Sequence, residues 1–427
     1  DKNISNPPGM SCASCHAPET GFSYPNSDIN KEFGPVPGIV STRFASRKPI
    51  TISYSWFVPD GPTFWSPPQR AWLGGFFSDG RSNDLEDQAS VPMLSPNEMN
   101  NVVHGTASPD LVVRKVVAGT YTYLFRQAFG ASALSQPSTE IFRMIRQSIA
   151  AYERSPEVSP FSSKYDAYVE GRTQLTQSEF NGLRLFTGSY NGRPGGPPNY
   201  KDAQCTTCHV ISDSFDGGRD FFTDWTFANT GVPKNPHNPY YKETDAAADP
   251  QGYNPAGDKY VDLGLGAILY PQRNLPPGNI GVGSNGRGDF LEANGEFRVP
   301  SLRNVDKRPS PNFVKSYMHN GVFKSLKEVV HFYNTRNLTR LGEVVNLTRT
   351  DPYADVKGQP IWPLPEYPSA VTLQNPAGRP AGPNARVGNL GLNDREENEI
   401  VAFLQTLSDG YFTPVRRGPP PPPPPPN

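Results

Sequence analysis

A mainly α-helical protein of two domains with long ordered loops is what the sequence predicts, on three observations. The chain has 427 residues, more than one small core accommodates. Apolar residues recur at helical spacing in several segments, while strand-like alternation is scarce. All four cysteines fall in two copies of one pentapeptide, Cys12-Ala13-Ser14-Cys15-His16 and Cys205-Thr206-Thr207-Cys208-His209. C-x-x-C-H is the attachment signature of c-type haem, in which the thiols add across the vinyl groups and the imidazole ligates the iron. Two cytochrome-c-like domains are therefore expected. Cys12, Cys15, Cys205 and Cys208 would bind two covalent haems c, with His16 and His209 as proximal ligands. A redox dithiol has no need of the histidines, and a zinc site would require all four cysteines to converge while both histidines stood idle.

The first helical segment in this scheme is 138–153, with Ile141, Ile145 and Ile149 every four residues and Ser138 placed to cap it. Pro156 and Pro160 end it, so 1–154 is taken as the first haem domain and 155–163 as the linker. The second domain, 164–413, opens on a helix with the capping box Thr176-Gln177-Ser178-Glu179 and the apolar residues Phe180, Leu183 and Phe186. A Gly/Pro loop at 192–199 leads to the second motif, and 210–295 is rich in Gly, Pro, Asn and Asp, as loops wrapped over a haem would be. A third helix starts at Ser325 with Glu328 completing its box. The last follows Asn393 and carries Ile400, Phe403, Leu404 and Leu407 before Ser408-Asp409-Gly410. No internal repeat is expected beyond the pair of motifs. At the end, Pro419–Pro426 is an unbroken proline run. It can form only polyproline II and would order by lying in a groove, so 414–427 is expected to pack on a neighbouring copy.

Forty basic against 41 acidic residues give a net charge of −1, which argues against a nucleic-acid footprint. No run of about 18 apolar residues is present, so no membrane-spanning helix is expected. Haem is attached to C-x-x-C-H outside the cytoplasm. The chain shows no leader, so a mature, exported form is expected, periplasmic or extracellular. With 48 prolines and 39 glycines and only 19% charged residues, the composition suits a loop-rich protein held by cofactors and aromatic packing.

Several further stretches carry a family resemblance. They are Phe77-Ser78-Asp79-Gly80-Arg81, then Leu85, Gln88-Ala89 and Glu98-Met99-Asn100-Asn101 in the first half. In the second half they are Phe297 to Val305, Tyr317-Met318-His319-Asn320-Gly321 and the closing segment 392–409. Together with the haem motifs they resemble the bacterial diheme cytochrome c peroxidase and MauG superfamily. The resemblance implies that the His16 haem reacts with peroxide and the His209 haem transfers electrons. It assigns Glu98 as the distal acid/base and Gln88 as its polar partner, a sensible pair because peroxide heterolysis moves a proton from the inner to the outer oxygen. Family peroxidases close the first haem with a histidine, but none occurs between His16 and His104, so an open iron is expected. Fourteen residues past His319 (333 − 319), where peroxidases have methionine, stands Tyr333, the MauG-like choice of sixth ligand. Tyr333 shares a helix face with Leu326 and Val330, whereas His331 points elsewhere and Met318 serves as packing. Ser78 replaces the tryptophan that relays charge between the haems, with Trp72 as a substitute. Calcium between the domains, held largely by backbone carbonyls, is also common in the family.

The resemblance implies a diheme peroxidase or MauG-like oxidase. Its partners would be hydrogen peroxide and a small cytochrome, a cupredoxin or an oxidisable protein side chain. The alternative is a non-enzymatic extracellular electron-transfer cytochrome, perhaps polymeric. A dioxygen enzyme of the rubber-oxygenase kind, related but longer, is a third reading.

Overall fold

In the computed structural model the described residues are 1–69, 71–188, 201–211, 219–247, 249–252, 254–269, 293–338, 362–367 and 387–412. The 192–199 loop, the stretch 270–292 and the proline tail expected to seat on another copy lie outside them. The described part is mainly helical. Its β-structure consists of three two-stranded antiparallel pairs: Phe64–Ser66 with Ala71–Leu73, Val102–Val103 with Thr106–Ala107, and Phe227–Ala228 with Phe297–Arg298.

In the second half, the helices Gln177–Thr187 and Asp394–Gln405 cross tightly and enclose the core of Leu185, Phe186, Phe222, Ile400, Phe403 and Leu404. Both begin with a reciprocal capping box, the one at Thr176 expected from the sequence and the one at Asn393 not. The Glu179 amide donates to Thr176 Oγ1 at 3.3 Å, and the Thr176 amide to Glu179 Oε2 at 2.7 Å. Asn393 and Glu396 repeat the arrangement at 3.0 and 2.8 Å. The crossing point is Gly182, where an added Cβ would lie 1.8 Å from the Glu399 carbonyl oxygen. Only a residue without Cβ lets the two backbones approach so closely.

Two expected caps differ in detail. Helix Ser138–Glu153 is entered through Pro137 with no side-chain cap, so Ser138 is its first residue. The fixed φ of proline sets the entry instead. At Leu326–Thr335, Ser325 caps the Glu328 amide at 3.1 Å, but the Glu328 carboxylate returns to the amide of Lys324 at 2.7 Å.

The segment between the halves is pinned. Tyr54, fully buried, receives on its hydroxyl the amide of Phe161 (2.9 Å) and donates to Asp409 Oδ2 (2.8 Å). Asp409 also accepts from the Ser162 amide at 2.8 Å. Arg303, buried beside Tyr54 and Phe161, forks onto Asp166 at 2.8 and 2.9 Å.

The expectation of no repeat beyond the motifs is corrected. Phe76 bridges Ser82 around Phe77 (φ 66°) and Gly80 (φ 76°). Tyr317 bridges Phe323 around Met318 (φ 66°) and Gly321 (φ 70°). Each turn runs into a capped helix, Asp84 leading Leu85–Leu94 and Ser325 leading Leu326–Thr335. The repeat lives in backbone conformation while its side chains have diverged, so sequence comparison within the chain does not reveal it.

Replacing Gly182 by valine should cost at least ~2 kcal/mol through overpacking at the helix crossing. A lowered melting temperature would be the observable result.

Candidate haem sites

Each C-x-x-C-H motif forms a 3-10 turn, Cys12–Ser14 and Cys205–Thr207, closed by the histidine amide donating to the first cysteine carbonyl at 2.9 Å in both. The imidazoles are then fixed by one device. His16 Nδ1 lies 3.1 Å from the Phe22 carbonyl, and His209 Nδ1 lies 2.8 Å from the Phe222 carbonyl. Phe22 and Phe222 adopt φ of 57° and 56°, a left-handed conformation bulky residues avoid, and it aims the carbonyl at the ring. An Nδ1–H bonded to a carbonyl leaves Nε2 for a metal and raises its basicity. Burial lowers both imidazole pKa values, so neutral, ligating rings are favoured.

One continuous cavity of about 770 Å³ is lined by Cys12, Cys15, His16, Gln88, Glu98, Cys205, Cys208, His209 and Tyr333 together. All four thiols are free of disulfides. Four thiols and two tethered imidazoles on one largely apolar cavity are a donor set that fits two haems.

Gln88 sits on helix Leu85–Leu94, and Glu98 on the turn that follows it. That turn is held from outside. The Ile39 amide donates to the Glu98 carbonyl at 2.8 Å, and Arg43 donates to Asn100 Oδ1 at 2.9 Å while forking onto Asp249 of the second half. Burial raises the Glu98 pKa, only partly offset by the Arg81 guanidinium and a hydrogen bond from Ser95. Burial, then the field of Glu98, pushes the Cys15 thiol up to about 12, which puts carboxyl and thiol on the same end of the cavity. Tyr333 belongs to the other end, within the field of Cys208 and Cys205, with Thr230 as side-chain partner. Burial lifts its phenol to about 12.

Counted from the N-caps Asp84 and Ser325, Pro92 and Tyr333 occupy the same place (92 − 84 and 333 − 325). Where the second half presents a phenol, the first presents a ring with no donor atom. Sequence reasoning passed over Pro92 and also Trp225, which lines the cavity beside Phe221. Trp72, the suggested stand-in for the missing tryptophan at Ser78, does not line the cavity; it is buried edge-on against Trp65. Nothing in the local spacing distinguished the two tryptophans. His104 is exposed on a hairpin turn, and His331 pairs with Glu397 at 2.9 Å. His319 lines the cavity, stacked on Phe297 at 3.7 Å.

The two ends are locked together by charge. Arg47 forks onto Asp262 at 2.6 and 2.7 Å and reaches Asp79 at 2.5 Å, while Arg81 bonds the same Asp79 at 2.9 Å. Burial would raise the Asp262 pKa, but Arg47 outweighs it and holds the carboxyl down at about 2.

Comparison with known proteins gives this arrangement a family. The profile of the family described as di-haem cytochrome c peroxidase matches residues 1–174. The methylamine utilization protein MauG of Paracoccus denitrificans (strain Pd 1222) is 30% identical over 421 residues, spanning 97% of this chain and 87% of that protein. Cytochrome-c peroxidase IdrP1 of Pseudomonas sp. (strain SCT) is 25% identical over 339 residues, 78% of this chain and 69% of that one. The crystal structure of the diheme peroxidase BthA from Burkholderia thailandensis E264 superposes with a TM-score of 0.66 at 30% identity, covering 97% of this chain and 84% of that chain. Fold and cavity thus define a two-haem oxidoreductase with a cytochrome-c-like fold. The chain belongs to the di-haem cytochrome c peroxidase family, and it is an enzyme of the peroxidase or MauG kind. The non-enzymatic conduit is not favoured, because these relatives are named as peroxidases and MauG.

Asp262→Asn, which leaves Arg47 half-paired in a buried setting, should destabilise the holoprotein by ~3 kcal/mol. The exposed Arg143–Glu140 pair supplies the contrast: Glu140→Gln should leave the denaturation midpoint within error. Guanidinium titration of both variants checks the difference.

Proposed function

We propose that the chain is an exported enzyme, periplasmic or extracellular, that carries two covalently attached haems c and reduces hydrogen peroxide. Thioethers would form at Cys12, Cys15, Cys205 and Cys208, with 1–154 and 164–413 as the two haem domains. Bound there, the haem on His16 would supply peroxide reduction, and the haem on His209 would supply electron transfer and share of oxidising equivalents. The observation that carries the reading is the exchange of Tyr333 for Pro92 at one position of a repeated helix. It argues for a sixth ligand in the second half and an open face in the first.

The chain's own groups have separate tasks. The Glu98 carboxylate takes the proton from the inner oxygen of peroxide and returns it to the outer one. The Gln88 amide would orient peroxide by hydrogen bonding. The Phe22 carbonyl keeps the proton of His16 on Nδ1. Tyr333 would ligate as phenolate; burial opposes its ionisation, Arg336 nearby favours it, and bonding to a cation drives it. The reductant would be a small cytochrome, a cupredoxin or an oxidisable side chain of a protein substrate. Calcium stays part of the proposal with no step assigned, since no cluster of three His, Cys, Asp or Glu suited to a metal occurs among the described residues. Self-association through the proline tail is likewise carried forward.

The decisive measurement is the pH profile of the reaction with peroxide. Glu98 works as a base, so the rate should fall as pH drops through its pKa, which burial places above the ordinary carboxylate range. Glu98→Gln should lose roughly two orders of magnitude and flatten that acid limb with both haems retained. Unchanged turnover would return the electron conduit to favour. Separately, Tyr333→Met should raise the potential of the His209 haem in a spectroelectrochemical titration. An unaltered potential would place the ligand elsewhere.

A further inference from the structure

Six cationic side chains line the cavity: Arg47, Lys48, Arg81, Arg298, Arg303 and Lys315. Five have their charge or donors accounted for. Arg47 and Arg81 are paired with Asp79 and Asp262, and Arg303 with Asp166. Arg298 donates to the carbonyls of Phe77, Trp225, Gly74 and Gly75. Lys315 donates to those of Thr20, Asn304 and Lys307 at 2.9–3.1 Å. Lys48 is different. The sole hydrogen bond of its ammonium among the described residues is a 3.4 Å contact with the carbonyl of its neighbour Pro49, and it has no carboxylate partner there.

The backbone holds Lys48 in place, its amide donating to the His319 carbonyl at 3.0 Å. Its ammonium lies in the field of His16 and repels Lys315, whereas among the described residues no lysine or arginine acts on His209 in the same way. A cation desolvated against a second cation is costly unless an anion joins it. Burial pushes Lys48 down to about 8, which states the same deficit. A haem carries two propionate carboxylates, and the reading of two bound haems brings such groups into this cavity.

Resting on that reading, we propose that Lys48 is a carboxylate-binding residue that holds a propionate of the haem ligated by His16. An ammonium–carboxylate pair removed from water favours the ionised form of both partners. Lys48 would thereby keep one propionate charged, and its positive charge would raise the potential of the first haem.

The experiment uses the mature holoprotein, with haem counted first by intact mass and by pyridine haemochrome. Fewer than two haems in the wild type would retire the two-haem reading itself. With two present, redox-difference infrared spectra with isotope-labelled propionates should show one of them titrating at least tenfold, one pH unit, below the others. Four propionates titrating alike would overturn the assignment with no variant needed. In Lys48→Met and Lys48→Gln that propionate should rejoin the rest and the first potential should fall, with the second unchanged. Lys48→Arg should preserve both signals. A wild-type potential that tracks added inorganic phosphate, lost in Lys48→Gln, would instead assign Lys48 to a free anion and refute the propionate contact.

Discussion

Each half of the protein is organised around one hydrogen bond, from an imidazole Nδ1–H to a backbone carbonyl that a phenylalanine in left-handed conformation turns inward. The conformation is strained, costing on the order of 1–3 kcal/mol at each site, so the surroundings have to enforce it. They do so at once through packing: Phe22 and Phe222 are both buried, and Phe222 is a centre of the second core, edge-on to Tyr165 and Phe186. The core is thereby built outward from the ligand. A histidine that merely followed two cysteines would be free to rotate, whereas this one has its tautomer and direction fixed by the carbonyl.

On that shared scaffold the two halves differ by a few side chains. The turns at Phe76–Ser82 and Tyr317–Phe323 and the helices they launch coincide in backbone, yet one helix carries Pro92 and the other Tyr333 at equal distance from its cap. Proline inside a helix also frees the carbonyl four residues back, which here belongs to Gln88, and the chain leaves the helix two residues later into the turn that bears Glu98. A single substitution thus removes a donor atom from one cavity wall and redirects the backbone toward the carboxylate. Division of labour between similar domains needs no change of fold.

Much of this was legible in sequence where the determinant is local. The two motifs and the box at Thr176/Glu179 follow from residue type and spacing, while the candidates Gln88, Glu98 and Tyr333 come from the family resemblance. What was not legible depends on backbone sign or on distant partners. Positive φ at Phe22, Phe77, Phe222 and Met318 has no compositional signal, since the residues are not glycine, and so the repeat stayed hidden. The standing of Lys48 emerges only after every neighbouring cation has been matched to its anion or carbonyl, and those partners come from up to 295 positions away. Trp225 and Trp72 are equivalent as letters and differ only in which wall they face.

The hydrogen bond from Tyr54 to Asp409 closes a loop across 355 positions of chain. Loops that long are slow to close, and the contacts that reward closure come last. The N-terminal half therefore cannot complete its core until the C-terminal segment has been delivered. In terms of folding order, the closing contact of the first half waits on Asp409, near the far end of the described residues.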